Sequence, residues 1–452
     1  MIYPCKPHNL VAIICLSMLI VFAAGNVWAE DSDAKNPLSL WKGQGGSYLK
    51  LTFSSEIAYF DQNNSWFGKD RDNLGDKSDD WWEATISPGI EGSYFFDAAG
   101  EAYGRFDAVQ ANTQDIDGAG SNVGLGDVSK IRVEEAYAGW RSGNLFSSLG
   151  KDFLDISFGR QQYIVGTGFL FYSESGNGGE RGAFWIGDRH AAQYAGIVRM
   201  KTGGWTGDAV YFRADDNPDT DTKVGGANLE YAFDKVGNVG AAYYRINSDI
   251  DSRDDMNLYN VRGTLTPFEV FGDIDFLKPL TLEGEFAYED LDDSSNDTGD
   301  SGVGWYIQPS YQLEVTWKPR LTYRYASFDK DFDPLFYGFY DWGTWYQGEI
   351  LGEYVLANSN LNSHMVKLDV QPTDSLHLNL FYYNFTIDDA DSFGTDSDDY
   401  ADEVDFIVDY TFNDHLNFSL LAAYATPDDA AEESTGGNDD WWYSMFYTKI
   451  SF

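Results

Sequence analysis

Arg320 and Arg324 stand four residues apart in the run Arg320-Leu321-Thr322-Tyr323-Arg324-Tyr325, where polar and apolar side chains alternate. In a strand both guanidinium groups would leave the same face, with no acid between them. Two planar cations so placed suit recognition of a carboxylate on a passing solute. The same alternation puts Lys50, Arg105, Arg199, Arg213, Arg245, Arg262 and Lys449 on the polar faces of their segments. Arg132 and Arg160 lie where the alternation breaks. The expected solute path therefore runs along Arg160, Arg199, Arg213, Arg245, Arg262, Arg320 and Arg324. Acids share these polar faces: Glu56, Glu83, Glu91, Glu101, Asp107, Glu230, Glu283, Glu285, Glu289, Asp369, Glu403, Asp405 and Asp409. A ladder of mutually neutralising ion pairs that braces a wall is the competing use for most of these charges.

Bond-making chemistry finds little to work with. Outside the N-terminal leader the histidines are His190, His364, His377 and His415, and none stands in a Ser–His–acid context or at metal-ligand spacing. Gly118-Ala119-Gly120 and the glycines of 176–182 precede no helix, so they cradle no phosphate. No catalytic, metal or cofactor residues are assigned, and no cofactor is expected. The net charge of −43 excludes nucleic acid as the main partner. Its acids gather in Asp249–Asp255, Asp290–Asp300, Asp388–Glu403 and Asp428–Asp440, which read as solvated loops without EF-hand spacing.

The elements that must carry these side chains are strands. Leu49, Leu51, Phe53, Ile57 and Tyr59 alternate with Lys50, Thr52, Ser54 and Glu56; Val404, Phe406, Val408, Tyr410 and Phe412 alternate with Glu403, Asp405 and Asp409. The closing run, Trp441-Trp442-Tyr443-Ser444-Met445-Phe446-Tyr447-Thr448-Lys449-Ile450-Ser451-Phe452, keeps Trp442, Phe446, Ile450 and Phe452 on one parity. One face meets an apolar phase and the other meets water. An aromatic-ended final strand suits closure of a barrel in lipid, where an unpaired edge is not tolerated. Lys6, the apolar run Leu10–Gly25 and Val27-Trp28-Ala29 read as a secretory signal peptide cleaved after Ala29. Cys5 and Cys15 both fall inside it, so the mature chain has no thiol. Aromatics make up 17% of the chain, enough to build girdles at two lipid–water interfaces.

Short connectors (Asp97–Gly100, Lys201–Gly204, Asp234–Gly237, Gln371–Ser375, Asn413–His415) alternate with long polar ones such as Asp61–Asp80, Ala111–Ser129, Tyr163–Asp188 and Ile387–Ala401. Short periplasmic turns and long outer loops are the porin pattern. An even strand count then requires Phe328–Ser363 to be a single outer loop, with Ile350–Ala357 inside it rather than in the wall. The fold class is all-β: a transmembrane antiparallel up-and-down β-barrel of about 18 strands, with 16 as the alternative. Residues 1–29 form the signal peptide, 30–46 a short periplasmic tail and 47–452 the barrel. Phe332–Trp345 is too aromatic for a solvated loop and is expected to fold inward and narrow the pore.

Trp317-Lys318-Pro319-Arg320-Leu321-Thr322-Tyr323-Arg324-Tyr325-Ala326-Ser327 resembles a strand of the alginate-export family of outer-membrane porins. Phe332-Asp333-Pro334-Leu335-Phe336-Tyr337-Gly338, Ser359-Asn360-Leu361, Val370-Gln371-Pro372-Thr373 and, upstream, Phe158-Gly159-Arg160-Gln161 resemble further landmarks of that family in order. The resemblance implies an 18-stranded barrel exporting an anionic polysaccharide, or a related solute channel, with Arg160, Arg320 and Arg324 carried over. This chain departs from the pattern at Phe328-Asp329, and acids outnumber bases among its lumen candidates.

The function expected is a passive outer-membrane channel of a Gram-negative cell for hydrophilic solutes, in its narrower form an exporter of acidic, alginate-like polysaccharide. It is not an enzyme. The alternatives are a barrel-embedded outer-membrane hydrolase, and a non-conducting adhesive or structural barrel whose acidic loops bind divalent cations. The partners expected are outer-membrane lipid and lipopolysaccharide, the barrel-assembly machinery through the Phe452 strand, and the solute or acidic polysaccharide.

Overall fold

The computed structural model describes residues 38–69, 80–272, 274–291 and 301–452. The expected signal peptide, most of the expected tail, residues 70–79 and most of the acidic run 290–300 lie outside the described residues.

The wall runs in chain order through β1 (Ser39–Lys42), β2 (Tyr48–Asn63), β3 (Asp80–Phe95), β4 (Glu101–Gln114), β5 (Val128–Arg141), β6 (Leu154–Arg160), β7 (Tyr194–Thr202), β8 (Trp205–Arg213), β9 (Lys223–Phe233) and β10 (Gly237–Asn247). It continues through β11 (Met256–Leu265), β12 (Leu280–Leu291), β13 (Gly302–Gln312), β14 (Arg320–Phe328), β15 (Leu361–Thr373), β16 (Leu376–Ile387), β17 (Asp399–Asn413), β18 (Leu416–Pro427) and β19 (Trp441–Ser451). Each strand from β2 onward pairs antiparallel with the next, and β19 returns to β2 in the register Trp442↔Asn63 to Ser451↔Ser54. Phe452 exchanges backbone hydrogen bonds with Phe53 (2.9 and 3.3 Å) to finish the seam. β1 pairs with β2 alone, beside the ring, so the 19 strands make a closed barrel of 18. Closure gives every strand of the ring a neighbour on both sides, as a wall in lipid requires.

The outward parity is the apolar one. Leu420, Phe446 and Val404 are 53%, 43% and 40% exposed, a cost in water that lipid removes. Aromatic pairs stand at both ends of the outer wall. Trp442–Tyr424 (4.4 Å) and Tyr59–Trp82 (4.7 Å) lie toward the long loops; Trp205–Tyr231 (4.7 Å) and Tyr231–Phe233 (4.6 Å) lie toward the short turns. Ile350 is not in a strand: residues 348–352 form a π-helical turn within the connector 329–360.

Two irregularities re-aim side chains. The β4–β5 register jumps from Phe106↔Ala136 to Ala108↔Val133, which sets Glu134 and Glu135 together against Asp107. A bulge of this kind turns two successive residues toward one face. Gly159 sits at φ +136°, and a Cβ there would lie 2.3 Å from the Ala136 carbonyl oxygen. Only glycine tolerates both demands, and with it β6 leaves the wall at Arg160.

Candidate functional site

Two connectors on the long-loop side turn into the barrel: residues 161–193, between β6 and β7, and residues 329–360, between β14 and β15. They meet on the axis side of the wall. The Phe336 amide donates to the Leu170 carbonyl (3.0 Å) and the Tyr172 amide to the Phe336 carbonyl (2.8 Å), so Phe171 and Phe336 form a parallel bridge. The Trp345 indole N–H donates to the Thr167 carbonyl (3.1 Å), and its ring packs edge-on to Phe169 at 4.8 Å. Tyr163, Phe171, Phe336 and Leu351 are buried in one cluster with wall residues Phe212, Tyr244, Ile246, Phe381 and Ile407. The aromatic stretch folds inward as its composition predicts. The loop that begins at Tyr163, read as polar and outer, folds inward with it.

Wall carboxylates hold this plug through backbone amides. Glu403 accepts from Ile350 (2.7 Å) and Leu351 (2.8 Å), and Asp405 accepts from Glu349 (3.3 Å). Glu289 accepts from Asp333 (2.8 Å). Glu83 accepts from Trp185 (3.2 Å) and Ile186 (2.9 Å), and Glu134 accepts from His190 and Ala191 (both 2.7 Å). A buried amide left without an acceptor is costly, so each anchor matters more than the same contact in water. Many of the lumen acids are thus committed to the plug rather than to passing ions.

The arginines singled out by sequence divide. Arg324 points inward but is 2% exposed. It stacks 4.7 Å above Trp345 and donates to the Gly343 carbonyl (2.7 Å), so the plug covers it. Gly343 is at φ +72°, and a Cβ there would meet Phe381 at 2.3 Å, which fixes glycine where the loop packs against the inner face of the wall. Arg320 lies at the opposite end of β14, exposed, donating to Gln312 (3.1 Å). The pair therefore does not make one carboxylate clamp. Arg262 is inward and buried between Asn228 (2.6 Å) and Glu230 (3.3 Å). Arg199 is on the inward parity of β7, across from Asp155 and Asp208. Arg160 reaches Asp215 (2.7 Å) and Glu134 (3.7 Å), and Arg181 joins it on Asp215 (3.3 Å), tying the root of 161–193 to the wall.

Arg213 and Arg245 are corrections. Their strands bury Val210 and Phe212, and Tyr244 and Ile246, which sends Tyr211 and Arg213, and Tyr243 and Arg245, to the outer face. There Arg213 pairs with Asp219 (2.9 Å) and Asp221 (2.7 Å), and Arg245 pairs with Asp255. The cause is the plug: it makes this part of the lumen apolar, so alternation no longer tells inside from outside.

On the short-turn side of the plug lies a cavity of about 540 Å³, bounded by β2–β5, β19 and the loop residues Asp188 and His190. Six carboxylates line it (Glu56, Glu91, Asp107, Glu134, Glu135, Asp188) against three cationic side chains (Lys50, Arg105, Lys449). Lys50 pairs with Glu91 (2.8 Å), Arg105 with Asp107 (2.7 Å) and Glu135 (2.8 Å), and Lys449 with Glu56 (2.6 Å). Burial pushes the His190 imidazole down to about 4, so it carries no charge at neutral pH. Sequence alternation reached Lys50, Glu56, Glu91, Arg105, Asp107 and Lys449; it missed Glu134 and Glu135 because of the bulge, and Asp188 and His190 because their loop looked external.

No family model matches the chain, and no curated protein does. Solved structures do. A BenF-like porin from Pseudomonas fluorescens Pf-5 matches with a TM-score of 0.58 at 13% identity, over 89% of this chain and 99% of its own. Pseudomonas aeruginosa OpdQ gives 0.56 at 13%, over 89% and 97%, and Acinetobacter baumannii OccAB4 gives 0.56 at 12%, over 92% and 100%. The resemblance to the alginate-export family is therefore withdrawn: no family model supports it, and the similar solved structures are porins of other kinds. Its landmark residues have a local explanation, since Phe332–Gly338 belong to the plug and Arg324 is the wall residue that the plug covers. At these identities the likeness is one of fold, and the fold is that of an outer-membrane β-barrel porin.

Proposed function

We propose that the chain is a channel that passes small hydrophilic solutes across the outer membrane, with the joined loops 161–193 and 329–360 as its constriction. The observation that carries this reading is the contrast across the wall. A closed barrel exposes an apolar belt on the outside and encloses a water-accessible ionic cavity beside the constriction. Ion pairs along such a lumen set selectivity by charge and bore without any chemical step. Polymer export has no part in the reading, because Arg324, the central cation of that idea, is covered by Trp345.

The test is reconstitution of the purified barrel in planar bilayers. Discrete, ohmic conductance steps and entry of small sugars into proteoliposomes are expected. A folded barrel that shows neither, also after Trp345→Ala, would end the channel reading.

A further inference from the structure

We infer that the cavity beneath the plug is a binding subsite for the ammonium or guanidinium group of a cationic organic solute, with Asp188 as its principal contact. This deepens the channel reading and rests on it.

Space comes first. A volume of about 540 Å³ is within the range of small-molecule sites, so a solute of amino-acid size fits beside the wall. Charge comes second. Each cation lining the cavity is already held by a carboxylate, at 2.6 to 2.8 Å. A solute carboxylate would have to break one of those pairs and would meet the remaining acids. A solute cation breaks nothing. Asp188 receives only the Ser87 hydroxyl, at 3.3 Å, and has no ion pair among the described residues. Glu134, 7% exposed, spends Oε1 on two loop amides and has Arg160 3.7 Å from Oε2, so it is already partnered and Asp188 is the carboxylate left open. His190, the only other titratable group on the loop side of the cavity, is neutral and offsets none of this charge.

Position completes the case. Asp188 belongs to the loop that forms the constriction, while Glu56 and Lys449 face it from the seam strands β2 and β19. A cation in the cavity therefore meets a loop carboxylate with free acceptor capacity, while the cations that line the cavity are each paired. Fixed, partly desolvated charge of this kind discriminates by sign more strongly than the same charge in bulk water.

Two measurements on the full barrel decide the matter. In planar bilayers under a KCl gradient the reversal potential is expected to report potassium over chloride, with argininamide more permeant than glutamate by at least severalfold. Titration calorimetry in detergent is expected to show argininamide binding that Asp188→Asn weakens about tenfold. Conductance with equal or greater permeability to chloride and glutamate would overturn the inference and leave the channel intact. Binding of argininamide without conductance would overturn the channel and leave the subsite. If Asp188→Asn fails to fold, the wild-type permeability ratio decides alone.

Discussion

The loops 329–360 and 161–193 fill the same lumen by different means. The first is aromatic, and its burial follows from composition: Phe332, Leu335, Phe336, Trp345, Ile350, Leu351 and Tyr354 all leave water. The second is richer in glycine; it buries Tyr163, Phe169, Leu170 and Phe171 in the same cluster, but it is also drawn in by a network in which Arg160 and Arg181 share Asp215 while Glu83 and Glu134 take its amides. An apolar loop announces where it goes. A loop that is also held by ionic anchors goes where those partners are, and they lie in distant parts of the chain.

The sharpest way to break the comparison is to remove the apolar anchor. Trp345→Ala is expected to cost about 3–5 kcal/mol, the range for deleting a buried aromatic, as read by urea unfolding in lipid vesicles. It should also raise conductance and current noise. A loss below about 1 kcal/mol would mean the loop is merely resting on the wall.

Next comes the carboxyl anchor of loop 329–360. Glu403→Ala leaves the Ile350 and Leu351 amides without acceptors, at about 1–3 kcal/mol for each buried group. Glu403→Gln keeps one carbonyl acceptor and should lose roughly half as much. Equal losses in the two variants, in the same unfolding assay, would show that volume and not hydrogen bonding matters there.

The smallest effect sharpens the contrast through pH. Burial raises the carboxyl groups of Glu349 and Glu353 well above the usual range, with Asp405 adding to Glu349 and Glu83 to Glu353. The docked loop 329–360 therefore holds protons that the released loop would give up, and docking weakens as pH rises through those raised values. In loop 161–193 the two senses oppose: His190, held low by burial, weakens docking as pH falls from its ordinary value toward about 4, whereas Glu174, held high, weakens it as pH rises. Both cysteines of the sequence precede residue 38, so single cysteines make clean reporters. Between pH 6 and 9, thiol labelling at Leu351→Cys should accelerate severalfold more than at Ala192→Cys, after correction for thiolate fraction. Equal acceleration would erase the distinction between the loops.

The same contrast explains what was legible in the sequence. The lipid-facing parity of β2, β14, β17, β18 and β19 could be read residue by residue, because lipid demands an unbroken apolar face. So could the strand count, since alternating connector lengths forced Ile350 out of the wall. The cavity was legible only in part, because a bulge at Glu134 and Glu135 has no one-dimensional signature stronger than broken alternation. Arg213 and Arg245 were assigned to the wrong face for the converse reason: where Phe212 and Ile246 meet the plug, both faces of the wall are apolar.

The seam carries a consequence for biogenesis. The free edge of β2 finds its only long partner in β19, the strand delivered last. Until that strand arrives, the growing sheet presents two unsatisfied backbone edges and an apolar outer face to an aqueous compartment, the combination that invites aggregation. Sealing is then a late event whose kinetics depend on a contact spanning nearly the entire chain.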